Sequence, residues 1–537
     1  MAPAEPAPLH ELYTVNEISN PAMLSPPDPA EGDAKRGTEV LAAGIDFTGE
    51  PDEADPDPHC FAFLRDLRAV RSKASQEAAR DLVADWIERH EGGRVRLWQP
   101  AIAGERVVNW LCAQRFLSAG AAPEFSRSLE RSLARHVRRL RRDYARMAAN
   151  ADRFRVLKAL VYAGVCLPGR RKIVDWALVR LEREITRQTF PDGGQYERNP
   201  SLHAAVLGDL VELRACLGLG LIRAPVWLQH AVERIAPMLQ FYRHGDGGLA
   251  LFNGSVEEDP ETIERLLMVA RAGDKASASA PHAGFERLAR KEAVVLVDTG
   301  GPPPHGLDFD AHAGTLAFEM SVGAARLIVN CGAYRGNDPT WHMAARATAA
   351  HSTLVVEDTN SAEVQDLGGL GRRVRDVGVR RDSAGGGAVL EASHDGYFRR
   401  FGLVHRRQLT LDADGQSLRG EDRLQGGGGQ QGRDGLEEEH DFVVRFHLHP
   451  GVEASIAPAF AVSEPTIGLR LPDGQVWLFA ADGRASSLEE SVYFGHGGQG
   501  QSSRQIVIAG RAGSGETLVS WRLWRSALAR DGVKNGS

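Results

Sequence analysis

The sequence of 537 residues predicts an α+β multidomain protein, with an N-terminal (α/α) toroid followed by a C-terminal antiparallel β-sandwich. Apolar residues recur at helical spacing through most of residues 59–285, which we assign to the toroid. Short alternating runs separated by Gly, Pro and Asp turns fill residues 286–530, which we assign to the sandwich. The length fits this division, because single hydrophobic cores stop growing beyond about 250–300 residues.

Residues 1–58 are rich in Pro, Ala, Asp and Glu. A segment of this composition buries too little apolar surface to fold by itself, so we expect a flexible leader. Its apolar stretch at residues 40–45 is expected to dock on the body of the protein.

The helical region contains eight amphipathic segments with short connections, as in an array of antiparallel helical hairpins. No internal repeat is obvious, so the periodicity fits a helical solenoid as well as a toroid. One segment, residues 127–146, is densely arginine-rich. It is either a solvated helix face or an electropositive wall that attracts an anionic polymer.

Bulk composition excludes several classes of protein. The net charge of −7 gives no basic footprint, so nucleic acid is not an expected partner. Five scattered cysteines without a CxxC pair predict neither a disulfide framework nor a zinc ribbon. No apolar run reaches the roughly 18 residues of a membrane span, and no secretory signal is evident. A cytoplasmic location is therefore expected, with a periplasmic one left open.

Three polar side chains stand at the ends of predicted strands in the sheet region. His312 precedes one apolar run, Asn330 follows the next, and His351 precedes a third. Packed strand ends position side chains well for ligand binding or proton transfer. The alternative is that the histidines are hydrogen-bonded residues at a sheet edge. Four further histidines of this region are expected to be mainly structural: His394, His405, His447 and His449.

Residues 190–214 form a second candidate stretch, which contains a Pro-Asp-Gly-Gly turn and an Asn-Pro-Ser helix start. Asn199 or Ser201 could simply cap the helix. The same stretch also brings several polar side chains to a helix N-terminus, where an anionic group is favoured. Those side chains are Gln195, Glu197, Arg198, Asn199 and His203.

A third stretch, residues 240–254, places Tyr242, Arg243, His244 and Asn253 around a Gly-rich turn. A tyrosine next to an arginine could have its phenol pKa lowered and act as a base. The alternative is a surface aromatic beside a turn.

Several motifs, taken in order, resemble the heparinase II/III family of polysaccharide lyases. They are DGGQYERNPSLH, HGDGGLALFNG, HAGTLAFEMSVGAARLIVNCGAY, AHSTLVVED and RFHLHP. The resemblance covers about residues 35 to 525. It implies a toroid followed by antiparallel sheets, and β-elimination on an anionic polysaccharide that contains uronic acid.

Such elimination neutralises the C5 carboxylate, removes the C5 proton and protonates the departing O4. Carried over by position, the resemblance implies catalytic roles for Asn199, His203, Tyr242, His312 and His351. It implies substrate-binding roles for Glu197, Arg198, Arg243 and Asn253. No cofactor is required, although a structural zinc could be held by His312, Asn330 and His351.

The sequence also departs from the family pattern. Asp310 and Gly314 stand beside His312 where family members carry His-x-His-x-Asp, and Asn330 stands where some carry a carboxylate. These changes motivate an alternative, a glycan-binding or exopolysaccharide-assembly protein that kept the fold and lost the chemistry. A third hypothesis is a glycoside hydrolase with Glu197 and Asp246 as its two carboxylates. A homodimer is an expected assembly.

Overall fold

A computed structural model describes residues 24–28, 31–47, 58–90, 96–148, 150–366, 368–383, 385–426, 439–457, 466–513 and 515–526. Residues 1–23, 29–30 and 48–57 of the expected leader lie outside this range. Within the leader, helix α1 (Ala34–Ala43) begins at Asp33, whose side chain accepts hydrogen bonds from the N–H groups of Lys35 and Arg36. Val40 and Ile45 pack against the helical core, as expected of the stretch at residues 40–45.

The N-terminal half is an array of α-helices connected mostly by short loops. Its members are α2 (Leu64–Ala69), α3 (Lys73–His90), α4 (Pro100–Cys112), α5 (Gln114–Ser118), α6 (Pro123–Asp143), α7 (Asp152–Cys166), α8 (Arg171–Gln188), α9 (Pro200–Leu219), α10 (Val226–Phe241) and α11 (Pro260–Ala270). Within the described ranges, no helix is both long and apolar enough to cross a bilayer.

The arginine-rich helix α6 is amphipathic. Leu129, Leu133 and Val137 are buried in the helical core, while the arginines at positions 127, 131, 135, 138 and 142 are exposed. Two of them have acidic neighbours: Arg127 pairs with Glu124 at 2.6 Å and Arg142 with Asp143 at 2.9 Å. This geometry fits the solvated-face alternative.

The C-terminal half is made of antiparallel strands with two short helices, α12 (Pro339–Arg346) and α13 (Phe398–Phe401). The strands are β1 (Ser279–Ala280), β2 (Phe285–Arg290), β3 (Ala293–Asp298), β4 (Phe318–Val322), β5 (Ala325–Val329), β6 (Leu354–Val356), β7 (Val377–Asp382), β8 (Ala388–His394), β9 (Leu403–Leu411), β10 (Ser417–Gly426), β11 (His440–Leu448), β12 (Glu453–Ala457), β13 (Thr466–Arg470), β14 (Val476–Ala481), β15 (Ser486–Tyr493), β16 (Gln501–Ala512) and β17 (Glu516–Arg525).

Two sheets form the predicted sandwich. Among the described residues, the first has the order β1-β2-β3-β4-β5-β11-β16-β15, with β6 also paired to β11. The second has the order β12-β13-β14-β17-β10-β9-β8-β7. Inner faces of both sheets contribute to one core, where Phe318 stacks on Trp521 at a centroid distance of 5.7 Å.

The helical half packs against the first sheet. Phe285 and Leu296, from β2 and β3, belong to the same hydrophobic core as the helices. Loops between the sheet strands also meet the helical half, as where the Gly301 carbonyl after β3 accepts a hydrogen bond from Arg198. The polar side chains between these loops and helices form the site described next.

Candidate functional site

A cavity of about 210 Å³ lies between the helical half and the loop that precedes β4. The helical half contributes the residues around the starts of α7 and α9 together with Asn253, and the sheet half contributes residues 306, 307 and 309–311. The lining residues are Asn150, Ala151, Asp152, Arg155, Glu197, Asn199, Leu202, Asn253, Gly306, Leu307, Phe309, Asp310 and Ala311. Three predicted site residues, Glu197, Asn199 and Asn253, are thus brought together. None of these residues comes from α6, so the electropositive-wall alternative finds no support at this cavity.

The two amides that line the cavity are held by hydrogen bonds. Asn199 caps α9, because its Oδ1 accepts the Leu202 N–H at 3.1 Å. Asn253 donates from Nδ2 to the Arg198 carbonyl at 3.2 Å and accepts the His312 N–H at 3.2 Å. Asn253 therefore connects the cavity to the strand-end histidine of the sheet half.

Glu197 is the residue of the cavity best suited to proton transfer. Its Oε1 is buried and has no hydrogen-bond partner among the described residues. Burial, with a smaller contribution from the charge of Asp310, raises the pKa of Glu197 to about 7. The carboxyl group can therefore gain or lose a proton near neutral pH, a property that catalytic acids and bases share.

The cavity is acidic and has one exposed aromatic wall. Asp152, Glu197 and Asp310 line it, while Arg155 pairs with Asp152 at 2.9 Å and with Glu105 at 3.3 Å. Phe309 is 67% exposed. Carboxylates and amides around an aromatic ring suit a polyhydroxylated ligand, because hydroxyls bond to the oxygens while C–H faces pack on the ring.

Tyr242 lies in the helical core and not at the cavity. It is 1% exposed, and its ring centroid is 5.3 Å from that of Phe285. Burial raises the pKa of Tyr242 far above its usual value, so the expected lowering by Arg243 is wrong. The Arg243 guanidinium pairs with Glu264 at 2.8 Å, on the helical half, and Arg243 is not among the described residues that line the cavity.

His203 is likewise buried in the helical core. Its Nε2 donates to the Ile235 carbonyl at 3.0 Å, and burial lowers the pKa of the imidazole to about 4. A neutral imidazole that bonds to a helix carbonyl cannot reach a ligand in the cavity. The structure therefore does not bring His203 and Tyr242 together with Asn199 on one bound sugar.

Arg198 was predicted to bind substrate, and the structure instead places it between the two halves. Its guanidinium is 4% exposed and pairs with Asp298 of β3 at 2.5 Å. It also donates to the carbonyls of Ala283, Gly284 and Gly301. With its hydrogen-bonding capacity used by the sheet half, Arg198 fastens the α8–α9 connection to β3.

His312 and His351 form a buried pair. The Nδ1 of His351 donates to the Ala347 carbonyl at 2.8 Å, so its Nε2 accepts from the Nδ1 of His312 at 3.0 Å. Burial lowers the pKa of both imidazoles, that of His351 to about 4. Both rings are therefore neutral, and they lie behind the cavity rather than among its lining residues.

The set of His312, Asn330 and His351 does not fit the zinc suggested by the resemblance. Asn330 Oδ1 accepts the Ser352 N–H at 3.0 Å, and Asn330 Nδ2 donates to the Leu251 carbonyl. Both ring nitrogens of His351 are already in hydrogen bonds. A metal would have to replace these bonds with an amide ligand weaker than a carboxylate.

A different trio, which sequence reasoning missed, has metal-ligand chemistry. Ligand atoms of Glu257, His449 and His496 all lie within 4.8 Å of one another. However, the Gly451 N–H donates to His449 Nδ1 at 3.1 Å, so His449 Nε2 carries a proton. That proton faces Glu257 Oε1 at 3.3 Å, and the contact is therefore a hydrogen bond. The three residues link a loop of the helical half to the sheet half.

The carboxylate pair of the glycoside hydrolase hypothesis is not assembled. Asp246 is paired with the buried Arg326 at 2.7 Å, and Arg326 lowers the pKa of Asp246 against the effect of burial. Asp246 is not among the described residues that line the cavity. Glu197 is therefore without its predicted partner.

Sequence reasoning did not identify Asp152 and Phe309 as site residues. Asp152 occupies the first turn of α7, a position that Asp favours for helix stability alone. Phe309 follows a run of Pro and Gly and has no periodic pattern. Asp310 carried a signal, since it replaces a histidine of the family motif.

The chain belongs to the heparinase II/III family. The family's sequence profile described as "Heparinase II/III N-terminus" matches residues 75–224, and that described as "Heparinase II/III-like, C-terminal" matches residues 272–522. The resemblance drawn from the motifs is thereby confirmed.

Individual relatives are similar to this chain either in sequence or in fold. A protein of Caulobacter vibrioides named "FtsZ-localized protein C" is 30% identical over 531 residues, covering 91% of this chain and 88% of the relative. The crystal structure of heparinase III superposes with a TM-score of 0.72 at 12% identity, covering 93% of this chain and 85% of that one. A heparan sulfate lyase HepC mutant from Pedobacter heparinus gives a TM-score of 0.63 at 15% identity, covering 93% and 86%. At such identities the solved structures show a shared fold.

Proposed function

We propose that the protein binds an anionic, uronate-bearing glycan at the cavity between its two halves. We further propose that the protein does not cleave this glycan by the family's elimination chemistry. This is the catalytically altered alternative of the sequence analysis. The observation that carries it is the composition of the cavity. Sugar-compatible groups line it, while Tyr242 and His203 are buried elsewhere.

Charge at the cavity argues against elimination there. The reaction needs the C5 carboxylate of the bound sugar to be neutralised before its proton can be removed. Asp152 and Asp310, together with Glu197 when it is ionised, would instead repel a carboxylate at this position, and Arg155 is already paired with two acids. The hydroxyl-bearing part of a sugar is the better occupant.

One panel of glycans is used to measure binding and cleavage separately. Heparan sulfate, hyaluronan, chondroitin, alginate and a bacterial exopolysaccharide are each titrated calorimetrically, then incubated while ultraviolet absorbance follows the unsaturated uronate. We expect at least one glycan to bind and none to develop absorbance. Growing absorbance would establish the lyase reaction, with Glu197 as the first candidate for proton transfer. The absence of binding to every glycan would contradict the proposal.

A second candidate function is association with the cell-division protein FtsZ. It is favoured by the printed name of the relative that is 30% identical over 91% of this chain. Sedimentation of this protein with FtsZ polymers tests it, with FtsZ kept unpolymerised by GDP as the control. Enrichment in the polymer pellet supports the candidate, and equal recovery in both pellets contradicts it.

A further inference from the structure

A second hollow, larger than the cavity, opens on the sheet half. This groove of about 590 Å³ is formed by residues 371–375 before β7 and residues 395–399 after β8, together with His305. Four arginines line it against a single aspartate: Arg372, Arg373, Arg375 and Arg399 against Asp395. We call it the basic groove.

Two of these arginines are fixed in position by hydrogen bonds. Arg372 donates to the carbonyls of Asn360 at 2.5 Å and of Gly396 at 2.6 Å, contacts that hold the guanidinium without neutralising its charge. Arg373 pairs with Asp308 at 2.5 Å. One wall of the groove is therefore rigid, which lowers the cost of binding a ligand.

The other two arginines of the groove are exposed, and their positive charge is available to an anionic ligand. Within the described part of the chain, the guanidinium groups of Arg375 and Arg399 form no ion pair. The one acid of the lining, Asp395, uses its Oδ1 to accept the backbone N–H groups of Arg375 and Asp376. Beside them Phe398 is 48% exposed and offers an apolar face. Such a groove favours an anionic group on a ligand that also has apolar surface.

The basic groove and the acidic cavity adjoin. His305 lines the groove, and the next residue, Gly306, lines the cavity. Asp308 reinforces this junction, because it pairs with Arg373 on the groove side and accepts the N–H of Gly306 at 3.0 Å. The two hollows therefore lie side by side along residues 305 and 306.

We propose that the basic groove binds a sulfate or carboxylate group of the same glycan whose neighbouring sugar occupies the cavity. This proposal rests on the proposed function and adds where the charge of the glycan is recognised. The acidic cavity takes hydroxyl groups, and the basic groove takes the anion. Arg375 and Arg399 are the contacts that a ligand can engage without breaking an existing ion pair.

The test compares wild type, the double variant Arg375→Ala/Arg399→Ala, and the control Arg470→Ala. Arg470 is also exposed but lies on β13, near the opposite edge of the sheet that ends in β7. Calorimetric affinities are measured for heparan sulfate oligosaccharides, for their desulfated form and for their carboxyl-reduced form, at several salt concentrations. Thermal unfolding verifies that each variant folds.

We expect the double variant to bind heparan sulfate at least about 10-fold more weakly, with a shallower dependence of affinity on salt, while the control binds as wild type does. If the double variant binds the desulfated probe as tightly as wild type does, the recognised group is sulfate. If the two proteins instead bind the carboxyl-reduced probe equally, the recognised group is the carboxylate.

Equal affinity of the double variant and wild type would overturn the groove proposal. The proposed function would survive that result if Phe309→Ala, which changes the cavity alone, still weakened binding. If wild type bound none of the three probes nor any glycan of the panel, both the groove proposal and the proposed function would fail.

Discussion

At the scale of single residues, Glu197 decides what the cavity can do. Its pKa near 7 has a physical cause in burial beside Asp310, and its Oε1 is free to meet a ligand hydroxyl. The neutral form donates a hydrogen bond and the ionised form only accepts. Ligand binding at the cavity is therefore expected to depend on pH around neutrality.

The substitution Glu197→Gln tests the raised pKa. A carboxyl whose folded pKa exceeds its ordinary value of 4.5 binds its proton more tightly in the folded state. Its contribution to stability is therefore full below pH 4.5 and is lost as pH rises through about 7. Glu197→Gln should match wild type in thermal unfolding at pH 5 and exceed it at pH 8, by about 1–3 °C. The exposed control Glu453→Gln should differ from wild type by the same melting temperature at both pH values. The same behaviour in Glu197→Gln would contradict the prediction.

Tyr242→Phe tests whether the buried phenol takes part in function. Because the ring packs in the helical core away from the cavity, the variant should keep wild-type affinity for any glycan of the panel. Calorimetric titration measures this, and thermal unfolding shows whether the core is intact. A large loss of affinity in a normally folded variant would mean that the phenol reaches the ligand.

At the scale of elements, the connection between α8 and α9 carries three adjacent side chains with different tasks. Glu197 lines the cavity, Arg198 fastens the segment to β3, and Asn199 caps α9. Arg198 has a positive φ of 56°, which lets consecutive residues point to different surroundings. A small displacement of this connection would therefore change the cavity.

Replacing Arg198 by Ala should be strongly destabilising. It leaves Asp298 buried without its ion-pair partner and the carbonyls of Ala283 and Gly301 without the donor that Arg198 supplies, and removal of one partner of a buried ion pair costs about 3–5 kcal/mol. Denaturant unfolding measures the change. The exposed Arg380→Ala is the control, since surface ion pairs contribute about 0–1 kcal/mol. A loss for Arg198→Ala no larger than that of the control would refute the anchoring role.

The elements themselves were largely predictable, and their contacts were not. Helical spacing found the helices of the first half, and alternation found the strands of the second, because both signals are local. A cap by Asn199 or Ser201 was one interpretation of the sequence, and the structure shows that Asn199 is the cap. The burial of Tyr242 was not predictable, because it depends on Phe285, which lies 43 positions later in the chain. The direction of the Arg198 side chain depends on β3 in the same way.

At the scale of the whole molecule, the two halves are held together by buried polar contacts as well as by the shared core. Glu257, in a loop of the helical half, contacts His449 at 3.3 Å and His496 at 3.4 Å and accepts a hydrogen bond from Tyr493, all from the sheet half. Burial alone would raise the pKa of Glu257. The hydrogen bonds from His449 and Tyr493, with the charge of Arg326, lower it to about 2.

The contacts of Glu257 predict that the stability of the protein decreases as the pH becomes acidic. Because its folded pKa lies below its ordinary value of 4.5, Glu257 stabilises the protein above pH 4.5, and this contribution is lost as pH falls toward 2. Glu257→Gln should lower the free energy of unfolding by roughly 1–3 kcal/mol at pH 7 and by roughly half of that or less at pH 3. Denaturant titrations at both pH values measure this, with Glu453→Gln as control. A deficit of the same size at both pH values would contradict the electrostatic origin.

The central claim is that the cavity between the two halves binds a sugar of the glycan and that the protein does not cleave the glycan. The most direct measurement titrates the best-binding glycan of the panel into wild type, Phe309→Ala and the exposed-aromatic control Trp341→Ala, and then recovers the ligand for mass spectrometry. We predict at least about 10-fold weaker binding for Phe309→Ala alone, corresponding to about 1.4 kcal/mol, and a ligand of unchanged mass. Equal affinity of all three proteins, or recovery of an unsaturated cleavage product, would contradict the account.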